Sequence, residues 1–145
     1  MGVVFSKNLI TVYQDAHDIS VEKLADKVND IADEALYVAD EEMKKVIETT
    51  PSSIVNGKDN RIDTGLMHDS VSHTYMNPSG NNKWTGYAGW TKKLKDYFLT
   101  QEYGGETPKS WGSRGGIKIS PMHMLTKGKV EMVEYLRERL GGTID

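Results

Sequence analysis

Apolar residues fall along this chain in two periods, and the switches between them mark out its elements. Leu9 to Tyr13 is a short apolar patch, a strand or an extended arm. From Leu24 the apolar positions recur at spacings of four and three: Leu24, Val28, Ile31, Ala35 and Val38. Met43, Val46 and Ile47 continue a slightly shifted stripe. That is the period of one helix face. Asp18 or Ser20 can cap the helix, Glu22 suits its first turn, and Pro51 stops it. The pattern predicts an amphipathic helix of about 28 residues, about 40 Å long. Its polar side carries Glu22, Asp26, Asp33, Glu41 and Lys44. A helix of that length calls for a sheet or a neighbouring subunit to cover it.

The period then shortens. Ser52 to Asn60 is polar, with Asn56-Gly57 as a turn signal. Asp63 or Thr64 can cap a short helical turn over Leu66 and Met67. Val71, His73 and Tyr75 alternate with Ser70, Ser72 and Thr74, the pattern of a half-exposed strand. Asn77 to Asn82 predicts a hairpin connection. The return strand, Lys83 to Trp90, sets Trp84, Gly86, Ala88 and Trp90 on one face, with Gly86 leaving room for a close neighbour. Lys92 to Gln101 predicts a short helix bearing Leu94, Tyr97, Phe98 and Gln101, ended by Gly104-Gly105. A Gly-rich, basic loop over residues 104–118 follows, expected to be mobile in the isolated protein, with Trp111 as its one large apolar anchor. Pro121 leads into a last helix, apolar at Met124, Leu125, Gly128, Met132, Tyr135, Leu136 and Leu140 and closed by Gly141-Gly142. There are no internal repeats.

Composition narrows the chemistry. At 145 residues the chain fits one domain with a modest core. It has no cysteine, which removes disulfides, thiol nucleophiles and thiolate metal sites. Its start lacks the basic region and apolar run of a signal peptide, and no stretch is apolar enough to span a bilayer. Charge is divided. Asp15 to Glu48 holds eleven acids against four bases, while Lys83 to Lys129 holds nine bases against three acids. Two copies can therefore set an acidic helix against a basic second half, gaining orientation more than affinity.

Catalytic constellations are weak. His68, Asp69 and His73 form the one compact group resembling metal ligands, but strand spacing turns the two histidines to opposite faces and no third His completes the set. Asp15 with His17 is weaker, and His123 suits a helix start or an interface. Ser113 lies in no nucleophile elbow, and Ser70 makes no triad with His68 and Asp69 merely by adjacency. Acid pairs such as Asp30 with Asp33 or Glu34 suit a solvated helix face. The loop Gly112-Ser113-Arg114-Gly115-Gly116 lacks the ending of a P-loop. With Lys109, Arg114 and Lys118 it can touch a nucleic-acid backbone, and Trp84 and Trp90 can stack bases, although core or interface packing suits them better. No cofactor or metal is expected.

Between about Ser20 and Leu140 the chain resembles the small neck, or head-tail joining, proteins of long-tailed bacteriophages. A T-G-x-L-x-x-S element stands at Thr64-Gly65-Leu66-Met67-His68-Asp69-Ser70, an E-aromatic-G element at Glu102-Tyr103-Gly104, and a proline-led approach to the last helix at Pro121-Met122-His123-Met124-Leu125. Two departures stand beside the match: Thr91 to Thr100 reads as helix where the family often has a short strand, and the loop before Pro121 is longer. The resemblance implies an α+β fold, with a small antiparallel sheet flanked by a long N-terminal helix and a C-terminal helix. It also implies a structural role without catalysis, in a homo-oligomeric, hexameric ring meeting a head connector, a tail terminator or a tail tube. The station would be the virion neck or tail top, reached from the host cytoplasm, without a membrane. On that reading Thr64, Gly65 and Leu66 fix the turn, while Trp84, Trp90, Tyr103, Gly104, Trp111 and Arg114 supply assembly contacts. The alternatives are a nucleic-acid-binding module using the basic region 83–129, or a small metal-dependent hydrolase.

Overall fold

Segments of strand period and helix period build two layers around one core. The computed structural model describes residues 1–15, 22–54, 58–80 and 82–141. In chain order they form β1 (Gly2–Phe5), β2 (Leu9–Asp15), α1 (Glu22–Thr49), α2 (Leu66–Asp69), β3 (Ser72–His73), β4 (Asn77–Gly80) and β5 (Lys83–Gly89). Next come α3 (Asp96–Tyr103), β6 (Gly105–Glu106), a kinked 3₁₀ segment (Lys109–Arg114), β7 (Lys118–Ile119) and α4 (Met124–Leu140). The chain is α+β, with a small antiparallel sheet, a long N-terminal helix and a C-terminal helix. The expected caps Asp18 and Ser20, the Asn56-Gly57 turn and the side chains of Glu22 and Leu24 lie outside the described residues.

The main sheet runs β1-β2-β5-β3, with β4 pairing farther along β5. Val3 faces Val12, Val12 faces Gly86 and Ile10 faces Ala88, so one side of the sheet is apolar and buried. The other side presents Val4, Tyr13 and Tyr87, all exposed. The strand expected through Tyr75 has register partners only at Ser72 and His73, with one further bond from Thr74 N to Tyr87 O at 2.8 Å. The cause lies at Met76, which turns into the core and gives its N–H to Asp33 Oδ1 at 2.6 Å. Within the expected connection Asn77–Asn82, Asn77 to Gly80 are strand and pair β5 across an irregular step, while Asn81 lies outside the described residues. Pro78 is tolerated there because an edge strand can spare an N–H.

Both large helices cover the apolar side. The buried stripe of α1 runs through Ala32, Ala35, Leu36, Ala39, Met43, Val46 and Ile47, leaving Val28, Ile31 and Val38 at its margins. The stripe sits one position round from the expected one because α1 is covered on two sides. Leu36 sits over the sheet at Gly86, where an added Cβ would lie 2.5 Å from Leu36 Cδ1 and 2.9 Å from Met76 Sδ. Gly128 of α4 meets Met43 and the backbone of Ala39 in the same way. In α4 the predicted apolar residues Met124, Leu125, Gly128, Met132 and Leu136 are buried. α3 begins at Asp96 rather than Lys92. Lys92, Lys93 and Lys95 would oppose the helix dipole in a first turn, and Asp96 favours it.

The Gly86–Leu36 contact gives a direct check. Gly86→Ala is expected to lower stability by about 1–3 kcal/mol, the usual cost of overpacking. Urea unfolding should show a lower midpoint with an unchanged slope.

Candidate functional site

The last turn of α3 ties four separate parts of the chain together. Gln101 O accepts from Met122 N at 3.0 Å and from Arg61 Nη1 at 3.1 Å. Glu102, 2 % exposed, accepts from Met124 N through Oε1 at 2.6 Å and from Leu125 N through Oε2 at 2.8 Å. Tyr103 Oη donates to Lys7 O at 2.6 Å, reaching the β1–β2 connection. Gly104, at φ 80, closes α3 with its own N–H on Thr100 O, and a Cβ there would meet Ile119 O at 2.9 Å.

Glu102 supplies what α4 lacks. The N-cap position of that helix is His123, at φ 56 with no side-chain cap. The first amides of a helix have no partner within it, and here a carboxylate 22 residues upstream takes Met124 N. Burial raises the Glu102 pKa, and the two amide bonds and nearby His123 and Lys127 offset this only in part.

Beside this hub opens a cleft of about 440 Å³, with Thr64, Gly65 and Leu66 on one side and Trp111 and Arg114 on another. Gly65 adopts φ 86, and Thr64 Oγ1 accepts from Leu66 N at 3.3 Å, so the turn is shaped locally. Arg114 pairs with Asp63 at 2.7 Å across 51 residues, which fastens the 3₁₀ segment to that turn. The basic loop also has its own framework. Gly105 and Glu106 pair with Ile119 and Lys118, and buried Thr107 bonds Ile117, Gly116 and Arg114. Arg61 lines the cleft and is 8 % exposed, with Nε on Pro51 O at 3.1 Å and Nη1 also on Gln101 Oε1 at 3.0 Å. Burial lowers its pKa, and the charge of Glu102 pulls it back up.

The histidines are held apart by carboxylates of α1. His68 sits between Asp69 Oδ1 at 3.0 Å and Glu48 Oε1 at 2.7 Å. His73 Nδ1 meets Asp40 Oδ2 at 2.6 Å. Lys44 Nζ approaches the other Asp40 oxygen at 3.1 Å as an ion pair without the direction of a hydrogen bond. These bonds strap α2 and β3 to α1. Burial opposes charge on His68, but the bonds to Asp69 and Glu48 outweigh it and its pKa is raised. Among the described residues no group of three or more His, Asp or Glu side chains is placed to hold a metal ion.

Of the residues singled out in the sequence, Thr64, Gly65, Leu66, Trp111 and Arg114 converge on the cleft. Trp90 does not reach a surface. It is 1 % exposed, packs on Phe98 and donates to Met67 O at 3.1 Å, so its role is to support the cleft floor from the core. Trp84 stands apart on β5, half-buried opposite Gln14. Tyr103 and Gly104 serve bonds within the chain, although the Tyr103 ring remains exposed. Arg61 carries no sequence signal, because a lone Arg after a polar loop makes no pattern, and Gln101 reads there only as a helix-face residue. Glu102 was noted only for its motif, yet a final helix starting at Met-His-Met without a capping residue is a signal that a cap must come from elsewhere.

No described helix is long and apolar enough to cross a membrane. No family model matches the chain, and no match was found among curated proteins or solved structures.

Two titrations follow. Glu102→Ala is expected to cost about 1–3 kcal/mol, because two buried amides lose their acceptor. A raised carboxylate pKa means the folded state holds this proton more tightly than the unfolded chain, so the contribution is lost as pH climbs from 4.5 through the raised value. Glu102→Gln should flatten that part of the stability–pH curve, measured by urea unfolding. His68 contributes stability that is fully present below 6.5 and lost as pH rises through its raised value. His68→Asn should remove that alkaline-side loss.

Proposed function

We propose that the chain is a structural virion assembly protein of a long-tailed bacteriophage, acting at the head-tail junction in a hexameric ring between the head connector and the tail tube. The observation that carries this reading is the placement of the motif pieces. The T-G-x-L turn lines the cleft, the E-aromatic-G element ties the end of α3 to the β1–β2 connection and to the start of α4, and the proline-led segment enters α4 beneath it. All three are joints of the fold, in the order in which the family carries them. The α+β architecture is the one the resemblance implies.

The surface supports an assembly role. A ring subunit needs two unlike flanks. Glu34 and Glu41 stand exposed along α1, while Lys92, Lys93 and Lys95 stand exposed before α3, giving surfaces of opposite sign. The uncovered sheet side adds Val4, Tyr13 and Tyr87 as apolar contact area. For the nucleic-acid alternative, Arg114 is already committed to Asp63, which leaves the basic loop one phosphate contact poorer.

Light scattering over a concentration series, at low and moderate salt, tests the reading. Mass rising with concentration toward six copies, with rings visible in electron micrographs, is the expected result. Salt should weaken the association, because exposed opposite charges are screened. Trp111→Ala should reduce assembly while circular dichroism stays unchanged. A strict monomer at every concentration and both salts would exclude a ring formed by the protein alone.

A further inference from the structure

We infer that the cleft beside Thr64-Gly65-Leu66 docks an acidic peptide segment of a partner protein, with one carboxylate received by Arg61 and the adjacent apolar side chain resting against Leu66, Tyr97 and Trp111.

The argument starts from an incompletely compensated charge. Arg61 is more than nine-tenths buried, yet its hydrogen bonds go only to neutral oxygens of Pro51 and Gln101. Its Nη2 makes no hydrogen bond among the described residues, and no carboxylate there comes within ion-pair distance of it. A guanidinium removed from water is costly unless its charge is matched. Glu102 acts on it only from a distance, since both Glu102 oxygens are spent on the amides of α4. The planar fork of Arg fits a carboxylate edge-on.

The surrounding charges favour the same ligand. Lys58 lines the cleft without an ion-pair partner among the described residues. His68 lines it too, but its ring nitrogens are already taken up by Asp69 and Glu48, so Lys58 and Arg61 carry the unmatched charge. Asp63, the one acid on the wall among the described residues, is paired with Arg114. Leu66, Tyr97 and Trp111 supply an apolar wall, and Trp111 is 42 % exposed. A volume of about 440 Å³ suits one large side chain with its neighbour, not a whole helix. The charge selects an acid, and the wall selects an apolar group next to it.

The inference concerns what the isolated chain recognises, so it stands or falls separately from the ring. The probe is the capped peptide acetyl-Gly-Asp-Phe-Gly-amide, titrated into ¹⁵N-labelled protein, with acetyl-Gly-Asn-Phe-Gly-amide, sodium acetate and inorganic phosphate as comparisons. Saturable shifts are expected at the Trp111 indole and the Arg61 side chain, with the Asp peptide bound about tenfold tighter than the Asn peptide. Arg61→Gln should erase that discrimination. Should that variant fail to fold, exposed Trp111→Ala carries the test, weakening both peptides by a similar factor while the preference for Asp persists. Equal affinity for the two peptides, shifts confined to other surfaces, or no saturable shift at millimolar peptide would overturn the inference. So would acetate or phosphate binding as tightly as the Asp peptide, which would make the cleft a plain anion site.

Discussion

A buried carboxylate facing two backbone amides is the constraint on which the rest of this structure depends. Glu102 gives one oxygen to Met124 N and the other to Leu125 N, and so caps a helix to which it is not adjacent in sequence. An ordinary cap is local and fixes only the start of its own helix. This one also fixes the end of α3 against the start of α4. Removing the carboxylate from water is unfavourable, as its raised pKa records. The helix dipole and two charge-assisted bonds offset that cost only while the geometry is kept. The arrangement therefore specifies one relation between the two helices more than it adds stability.

From that joint the other contacts follow outward. With α4 placed, Gly128 can settle on Ala39 and Met43, and α1 is held over the sheet at Gly86. Gln101, next to Glu102, bonds both Met122 and Arg61, so the cleft wall inherits its position from the same turn. Trp90 reaches up from the core to Met67, and Arg114 clips the 3₁₀ segment to Asp63. The proposed assembly role places partner contacts at a site whose walls come from segments 40 and 51 residues apart, fastened by the bonds Arg61 to Gln101 and Arg114 to Asp63. Such a site can stay in shape while a partner docks.

Much of the architecture was legible because it depends on period and punctuation. The 28-residue length of α1, its stop before Pro51 and the buried stripe of α4 follow from helical spacing and a terminator. Gly86 signalled a close approach, and Leu36 provides it. What spacing could not show was which polar group answers which. Asp33 taking the Met76 amide cut β3 short, and nothing near Asp33 in the sequence announces it. The site divided likewise. Thr64-Gly65-Leu66 and Trp111 to Arg114 were each visible, but their convergence rests on an ion pair spanning 51 residues. Trp90 was ambiguous between core and interface because both environments select a large aromatic, and only burial decides. Arg61 carried no local signal at all.

Amide hydrogen exchange on Glu102→Gln compared with the wild-type protein tests the central claim most directly. The account predicts that Met124 and Leu125 lose protection together with Met122 and with amides bonded at the cleft walls, Asp69 N on Gly65 O and Trp111 N on Pro108 O, because one joint holds all of them. Loss confined to the first turn of α4, with the cleft amides exchanging as before, would contradict it and reduce Glu102 to a local cap.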